Sequence, residues 1–218
     1  MACTIPILNS AFALLNAHDK LLTARRLVAA GIPHPRTGVV RHPDDPLPVR
    51  PPLVVKPRFG SWGVDVARCT TERAARTCLR RFARRGWFVR HGALVQELLP
   101  PQPRDLRVLV AAGRVIGAMH RVAAPGEWRT NVALGGTAEL ASPDAETTAL
   151  ALSAAAALGC DLVAVDLMPV AGRGHVVLEL NGAADFDAEY TPADRDVFRD
   201  AAVALRLYEP GAAHQPPR

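Results

Sequence analysis

Three oxygen-bearing residues interrupt two otherwise apolar runs towards the end of this chain: Asp166 within LVAVDLM, and Glu179 and Asn181 within VVLELNG. Side chains alternate faces along a strand, so Glu179 and Asn181 point the same way. A turn at AGRG, centred on Gly172 and Arg173, sets Asp166 opposite Glu179 in an antiparallel pair, and such cross-strand neighbours sit about 5 Å apart. Two carboxylates that close repel in a partly buried site unless a positive charge intervenes. Mg2+ takes oxygen ligands and keeps phosphates and waters in the rest of its octahedron, and a donor set without histidine or cysteine favours it over zinc. A solvated strand face, ordinary in antiparallel sheets, is the competing reading.

Two further stretches carry related chemistry. In VVKPRFGSWGVDV, Lys56 closes a strand and Gly60, Ser61 and Gly63 form a turn whose backbone N–H groups can approach phosphate. The spacing is neither a P-loop nor a dinucleotide fingerprint, and a plain hairpin turn competes with the phosphate reading. In GEWRTNVALGG, Arg129 and Asn131 stand two apart ahead of Gly135 and Gly136. A guanidinium there can clamp phosphate bidentately, and a merely solvated loop competes. The segment ERAARTCLRRFARRGWFVRH offers arginines for nucleic-acid phosphates, with Trp87 and Phe88 to stack on bases. Its apolar face of Ala75, Cys78, Leu79 and Phe82 makes an amphipathic helix with solvated arginines the stronger reading.

These residues need elements to hold them. The spacing predicts a helix over 17–30, capped by Asn16 with Asp19 at N3 and ended by Gly31 and Pro33. HPDDPLPVRPP (42–52) reads as a loop, LVVKP as a strand, RFGSWG as a turn and VDVAR as the returning strand. A helix follows over about 72–85, then the strand ALVQEL, a hairpin turning at Ala112 and Gly113, and a long loop over 123–141. Ser142 caps the next helix, with Pro143 at N1 and Gly159 behind it. DLVAVDLM and HVVLELN pair around AGRG, and Thr191, Pro192 and Asp194 open a last helix to about 207. The tail from 208 to 218 is expected to be disordered. Strands and helices mix without strict βαβ alternation, which predicts an α+β fold with largely antiparallel sheets.

Composition sets outer limits. With 49% hydrophobic and 22% charged residues, 218 residues build one compact domain or two small lobes around a cleft. A net charge of +5 favours anionic ligands. Cys3, Cys69, Cys78 and Cys160 lack zinc or disulfide spacing and are expected as reduced thiols. No basic region opens the chain, so no export signal is expected. Arg107, Arg114 and Arg121 break the most apolar region before it reaches the roughly 20 residues of a membrane span. A soluble, cytoplasmic protein is the expectation.

The order of the motifs carries more than any one of them. NAHDKL, VVKP followed by FGSWG, VQELL, DLRVLV, EWRTN, VDL and LELNG run from about Asn16 to Asn181. Together they resemble the ATP-grasp superfamily, in particular its RimK-like glutamate ligases. The resemblance implies two lobes, 53–98 and 99–207, gripping ATP behind an N-terminal helical segment and Pro-rich loop (1–52). It implies Lys20 and Lys56 on the nucleotide phosphates, under a turn of Gly60, Ser61, Trp62 and Gly63. Glu97 and Leu98 would meet adenine through backbone groups, and Asp105 would hold the ribose. Arg129 and Asn131 would sit at the γ-phosphate and acyl phosphate, with Arg121 on an acidic substrate. Asp166, Glu179 and Asn181 would bind Mg2+, or Mn2+ in its place. The implied reaction joins a carboxylate to an amine at the expense of ATP, on an amino acid, a peptide or a carrier protein.

The chain departs from the family's pattern twice. Family members usually carry an N-terminal domain of about a hundred residues where fifteen residues precede Asn16 here, which implies that a partner chain or a second copy helps shape the acceptor pocket. RimK-like enzymes commonly read N-x-S-P-G after the metal strand, whereas this chain reads Asn181-Gly182-Ala183-Ala184-Asp185, which implies a different substrate or an altered site. A nucleotide-binding relic that regulates a partner is the rival expectation, and the three intact metal ligands oppose it.

Overall fold

The structure is a computed structural model that describes residues 7–208; Cys3 and the tail from 209 lie outside them. In chain order the elements are α1 (Ala11–His18), α2 (Lys20–Ala29), β1 (Thr37–Val40), β2 (Leu53–Pro57), β3 (Ala67–Cys69), α3 (Glu72–Phe82), α4 (Gly86–His91), β4 (Ala93–Glu97), β5 (Arg104–Ala111), β6 (Arg114–Val122), β7 (Thr137–Leu140), α5 (Ala145–Leu158), β8 (Leu162–Val170), β9 (Gly174–Asn181) and α6 (Val197–Ala204). Short 3-10 turns at Val132–Leu134 and Ala188–Tyr190 complete them.

The sequence predicts one helix over 17–30, and the structure has two. Asp19 takes extended backbone between them, and its carboxylate accepts from the N–H groups of Leu21 (3.0 Å) and Leu22 (3.4 Å). Asp19 therefore caps α2. Asn16 is buried inside α1, where its amide donates to the Leu158 carbonyl at 3.3 Å. Other boundaries move for the same reason. Asp144 and Asp196, closer to the first turns than Ser142 and Thr191, accept the free N–H groups of α5 and α6. The returning strand after the glycine turn is only β3, a fourth small helix α4 follows α3, and β7 lies within the stretch expected as a loop.

Two antiparallel sheets result, ordered β1-β4-β2-β3 and β7-β6-β5-β8-β9. The hairpin of β5 and β6 turns where Ala112 and Gly113 predict it, both with positive φ. The small sheet packs on α3 and α4 through Leu53, Val55, Leu79, Phe82 and Phe88. Residues of α1, α2 and α5 cover one face of the large sheet, against Leu106, Val108 and Val110 of β5 and Val163, Val165 and Leu167 of β8. Alternation sends Arg107, Leu109 and Ala111 to the other face. There Leu109 and Ala111 pack with Tyr190, Val197 and Ala201. The end of that face carrying Asp105 and Arg107 is left to the small lobe.

Strict alternation fails at one place that matters. Val177 and Leu180 of β9 are both in the α5-side core, so a regular strand would carry Glu179 to the same side as Val177, into apolar packing. The pairing shifts by one between Asp166 and Leu167: Leu167 faces Val177, whereas Asp166 faces Glu179, leaving Leu178 as an extra residue. This bulge turns Glu179 towards the other lobe, as bulges beside functional sites often do. The Asp166–Glu179 pairing expected from the sequence is thus present, with the turn centred on Gly172 and the bulge supplying the offset.

Candidate functional site

The cleft between the two sheets is lined from both sides. From the small lobe and α2 come Lys20, Lys56, the 60–64 turn, Gln96, Glu97 and Leu98; from the large lobe come Asp105, Arg121, Arg129, Asn131, Asp166 and Glu179. Every site residue expected from the sequence is in this lining except Asn181. Asn181 lies two residues further along β9, opposite Ala164 and half-buried.

The floor is a ladder of opposed charges on adjacent strands. Arg107, to which the sequence reading gave no role, donates two bonds to Asp166 at 2.7 and 2.8 Å. Arg121 donates two to Asp105 at 2.9 and 2.5 Å and reaches Asp166 at 3.0 Å. Thr130 donates to Asp105 at 2.6 Å. Burial is the largest influence on both acids and pushes both upward. At Asp166 the Arg107 and Arg121 charges outweigh it and hold the carboxyl at about 2. At Asp105, with Arg121 and Thr130 against it, burial wins and the pKa rises. Asp105 and Arg121, expected on a ribose and a substrate, are here buried and paired with each other.

Across the cleft, Lys20 donates to the Gly60 carbonyl at 2.5 Å and stands 3.7 Å from the Glu179 carboxylate. Asp19, beside it, grips Arg58 with both oxygens, and the Lys20 N–H bonds the Arg58 carbonyl at 3.2 Å. The helix cap and the glycine turn are therefore one unit. Lys56 is held by Gln96, whose Oε1 accepts from Nζ at 2.8 Å. Burial lowers the Lys56 pKa to about 8, with Glu179 opposing and Lys20 adding to the fall. A desolvated ammonium of this kind gains most from an anion brought beside it.

Two loops close the top. Trp62 and Gly63 both have positive φ, and a Cβ at Gly63 would stand 3.2 Å from Asn131 Oδ1 and from Leu134. Glycine is favoured at that position, because the backbone is left-handed and a Cβ would press on the large-lobe loop packed over it. Arg129 donates to the Gly63 carbonyl at 2.9 Å and holds Glu127 with two bonds at 3.0 and 2.7 Å. At the end of β4, the N–H groups of Glu97 and Leu98 are spent on the carbonyls of Arg36 (2.8 Å) and Pro52 (3.2 Å). A base edge at that point would have to use groups other than these two donors.

Residues 17–197 match the family model described as the RimK-like ATP-grasp domain. This chain belongs to the RimK-like ATP-grasp family. It is 36% identical over 196 residues to the "Probable alpha-L-glutamate ligase" of Serratia proteamaculans (strain 568), covering 87% of this chain and 64% of that protein. The chain thus spans a little under two-thirds of that relative's length. It is similar to the RimK domain protein ATP-grasp from Sphaerobacter thermophilus DSM 20745, with 25% identity and a TM-score of 0.67 over 93% of this chain and 70% of the other. The ATP-grasp ligase PsnB, solved with a phosphomimetic variant of its minimal precursor, Mg and ADP, shares the fold at a TM-score of 0.65 with 23% identity, over 91% of this chain and 61% of that one. The α+β, two-sheet ATP-grasp architecture read from the motifs is the architecture found.

The ATP-grasp fold implies a divalent cation beside the nucleotide phosphates, and the residues of this cleft can be compared with that requirement. Among the described residues no three of His, Cys, Asp and Glu gather as a metal cluster. Asp166 and Glu179 offer instead an all-oxygen pair on neighbouring strands, with Asn181 further along the strand. Each carboxylate oxygen has two acceptor sites, so Asp166 can serve a guanidinium and a cation together. Such a set suits Mg2+. The Arg-rich segment has structural work of its own. Arg76 and Arg80 tie the 43–45 loop to α3, Trp87 donates to Asp65 at 2.8 Å, and Phe88 is buried. Among the described residues no helix is long and apolar enough to cross a membrane.

Proposed function

We propose that this protein is an ATP-dependent carboxylate–amine ligase that forms an amide through an acyl phosphate. What carries the reading is one observation: Lys20 and Lys56 on one wall face Asp166 and Glu179 on the other, in the cleft lined by nearly all the residues the family resemblance names. Lys20 and Lys56 bind the triphosphate, under the turn of Gly60, Ser61 and Gly63. Glu97 and Leu98 flank the base, and Asp105 lies on the ribose side. A divalent ion, Mg2+ or Mn2+, held by Asp166, Glu179 and Asn181, would neutralise phosphate charge. A substrate carboxylate oxygen attacks the γ-phosphorus as its bond to ADP breaks. An amine then attacks the acyl carbon, phosphate departs and the amine loses a proton. Arg129 and Asn131 hold the transferring phosphoryl group, and Arg121 acts on the acidic substrate. Catalysis on these terms is positioning and charge stabilisation.

The substrates belong to the amino-acid, peptide or carrier-protein class. The lobes 53–98 and 99–207 act as the jaws, and the setting is cytoplasmic. Phe12, Leu14, Leu15 and Val28 leave an exposed apolar surface on α1 and α2; a partner chain or a second copy would cover it and complete the acceptor pocket. The rival reading, a nucleotide-binding relic, draws on the altered turn after Asn181. A phosphate-release screen over amino-acid pairs and peptides, with mass detection of the product, separates them. ADP with a product one water lighter than its substrates is expected; nucleotide binding with no turnover across the screen would favour the relic.

A further inference from the structure

His34 lies outside the expected site, on the segment between α2 and β1, and it touches both walls of the cleft. Its Nδ1 is 2.8 Å from the carbonyl of Val177, while the Val177 N–H donates to the Pro33 carbonyl at 2.9 Å. Pro33 and His34 therefore brace β9, the edge strand of its sheet, at the residue preceding the bulge that turns Glu179 into the cleft. A carbonyl only accepts, so Nδ1 carries the proton and Nε2 is left as an acceptor.

That acceptor fixes the second wall. The Thr37 hydroxyl donates to the Pro35 carbonyl at 2.8 Å, which leaves its oxygen to receive Gln96 Nε2 at 2.9 Å; the same amide nitrogen is 3.4 Å from His34 Nε2. With its NH2 group directed at two acceptors, the Gln96 amide has one orientation, and its oxygen faces Lys56 Nζ at 2.8 Å. Gln96 is buried, so a reversed amide would set NH2 against an ammonium with no water to mediate.

We propose that His34 is a positioning residue that sets the phosphate-binding Lys56 and the metal-binding Glu179 relative to each other, through Gln96 on one side and the β9 bulge on the other. The inference rests on the nucleotide roles proposed above for Lys56 and Glu179. It takes the ligand-binding groups of the two lobes to be placed by one ring, so that damage at His34 is felt at both.

The test is calorimetric titration with AMPPNP over a range of Mg2+ on the full chain, with thermal melts to identify folded variants. His34→Phe removes both bonds, and weakening of nucleotide affinity by about tenfold or more is expected together with a higher Mg2+ requirement. An asparagine amide overlays the Nδ1 half of imidazole, so His34→Asn is expected to restore the Mg2+ requirement while nucleotide affinity stays as weak as in Gln96→Leu. The double variant His34→Phe/Gln96→Leu is expected to bind nucleotide no worse than His34→Phe alone, the mark of a shared path. Folded His34→Phe that binds within twofold of the parent, or single losses that multiply in the double variant, would overturn the inference. Where His34→Phe does not fold, His34→Asn with Gln96→Leu decides it: independent, multiplying losses overturn it. Lys56→Met separates the two levels. If it loses AMPPNP while the His34 and Gln96 variants do not, only this inference falls; if it too binds normally, the reading of the cleft falls.

Discussion

The charged residues of the cleft divide into those already satisfied and those left waiting. Asp166 and Asp105 are paired with Arg107, Arg121 and Thr130, Asp166 with acceptor sites to spare, whereas Lys56 has a neutral amide and a lowered pKa. Lys56→Met should therefore fold normally and lose nucleotide affinity, by tenfold or more on titration with AMPPNP. Arg107→Ala should do the reverse of folding normally. It leaves Asp166 buried beside a single guanidinium, a change that costs about 3 kcal/mol, measurable as a lowered urea midpoint. His34 adds a pH dependence. Burial is the main reason its pKa falls to about 4 from 6.5, with Lys56 assisting and Val177 and Glu179 opposing. The neutral ring is favoured in the folded state, so its contribution is whole above pH 6.5 and is lost as pH falls towards 4. The loss amounts to about 3 kcal/mol, and a pH series of melts should find that slope missing in His34→Asn or His34→Phe. At this scale the sequence was legible where a charge interrupts an apolar strand, as at Asp166 and Glu179. Arg107, Gln96 and His34 gave no such signal, because a strand arginine, a strand glutamine and a loop histidine are ordinary until the partners across the cleft are known.

At the scale of elements, positions were set by local contests that composition does not reveal. Asp19 illustrates this: read as the third residue of a helix begun at Asn16, it ends one helix and starts another because its carboxylate serves both N–H groups and Arg58. Asp19→Ala removes a cap and the buried half of an ion pair whose other member, Arg58, is partly exposed. A loss of about 2 kcal/mol is expected, seen in the urea midpoint. Strand β7 escaped the sequence reading because TAEL is mostly exposed and carries no alternation. The bulge at Leu178 was equally invisible. The period of Val176 to Leu180 looks regular, and only burial of both Val177 and Leu180 shows that an extra residue must intervene. The long runs, β5, β6, β8 and β9, were read correctly because their apolar alternation is sustained over many residues and their turns carry glycine.

The whole molecule is a pair of sheets whose facing ends hold opposite charges, with α1, α2 and α5 on the face of the large sheet away from the cleft, α6 on the cleft-side face beyond the charged end, and a glycine-bearing turn from one lobe packed under an arginine loop from the other. Four cations, Lys20, Lys56, Arg121 and Arg129, line the cleft with four carboxylates, Glu97, Asp105, Asp166 and Glu179, so the walls are balanced and a polyphosphate entering them gains from a divalent ion that Asp166 and Glu179 could share. On the proposed function, that balance would tie affinity for the nucleotide to the cation and to Glu179, the acid left half-exposed at the bulge. The direct measurement is calorimetric titration of AMPPNP, with and without Mg2+, into the parent and into Glu179→Ala. The parent should bind tightly only with Mg2+, and the variant should lose at least tenfold in affinity along with most of its Mg2+ dependence. A folded Glu179→Ala protein with unchanged Mg2+-dependent affinity would contradict the placement of metal and nucleotide in this cleft.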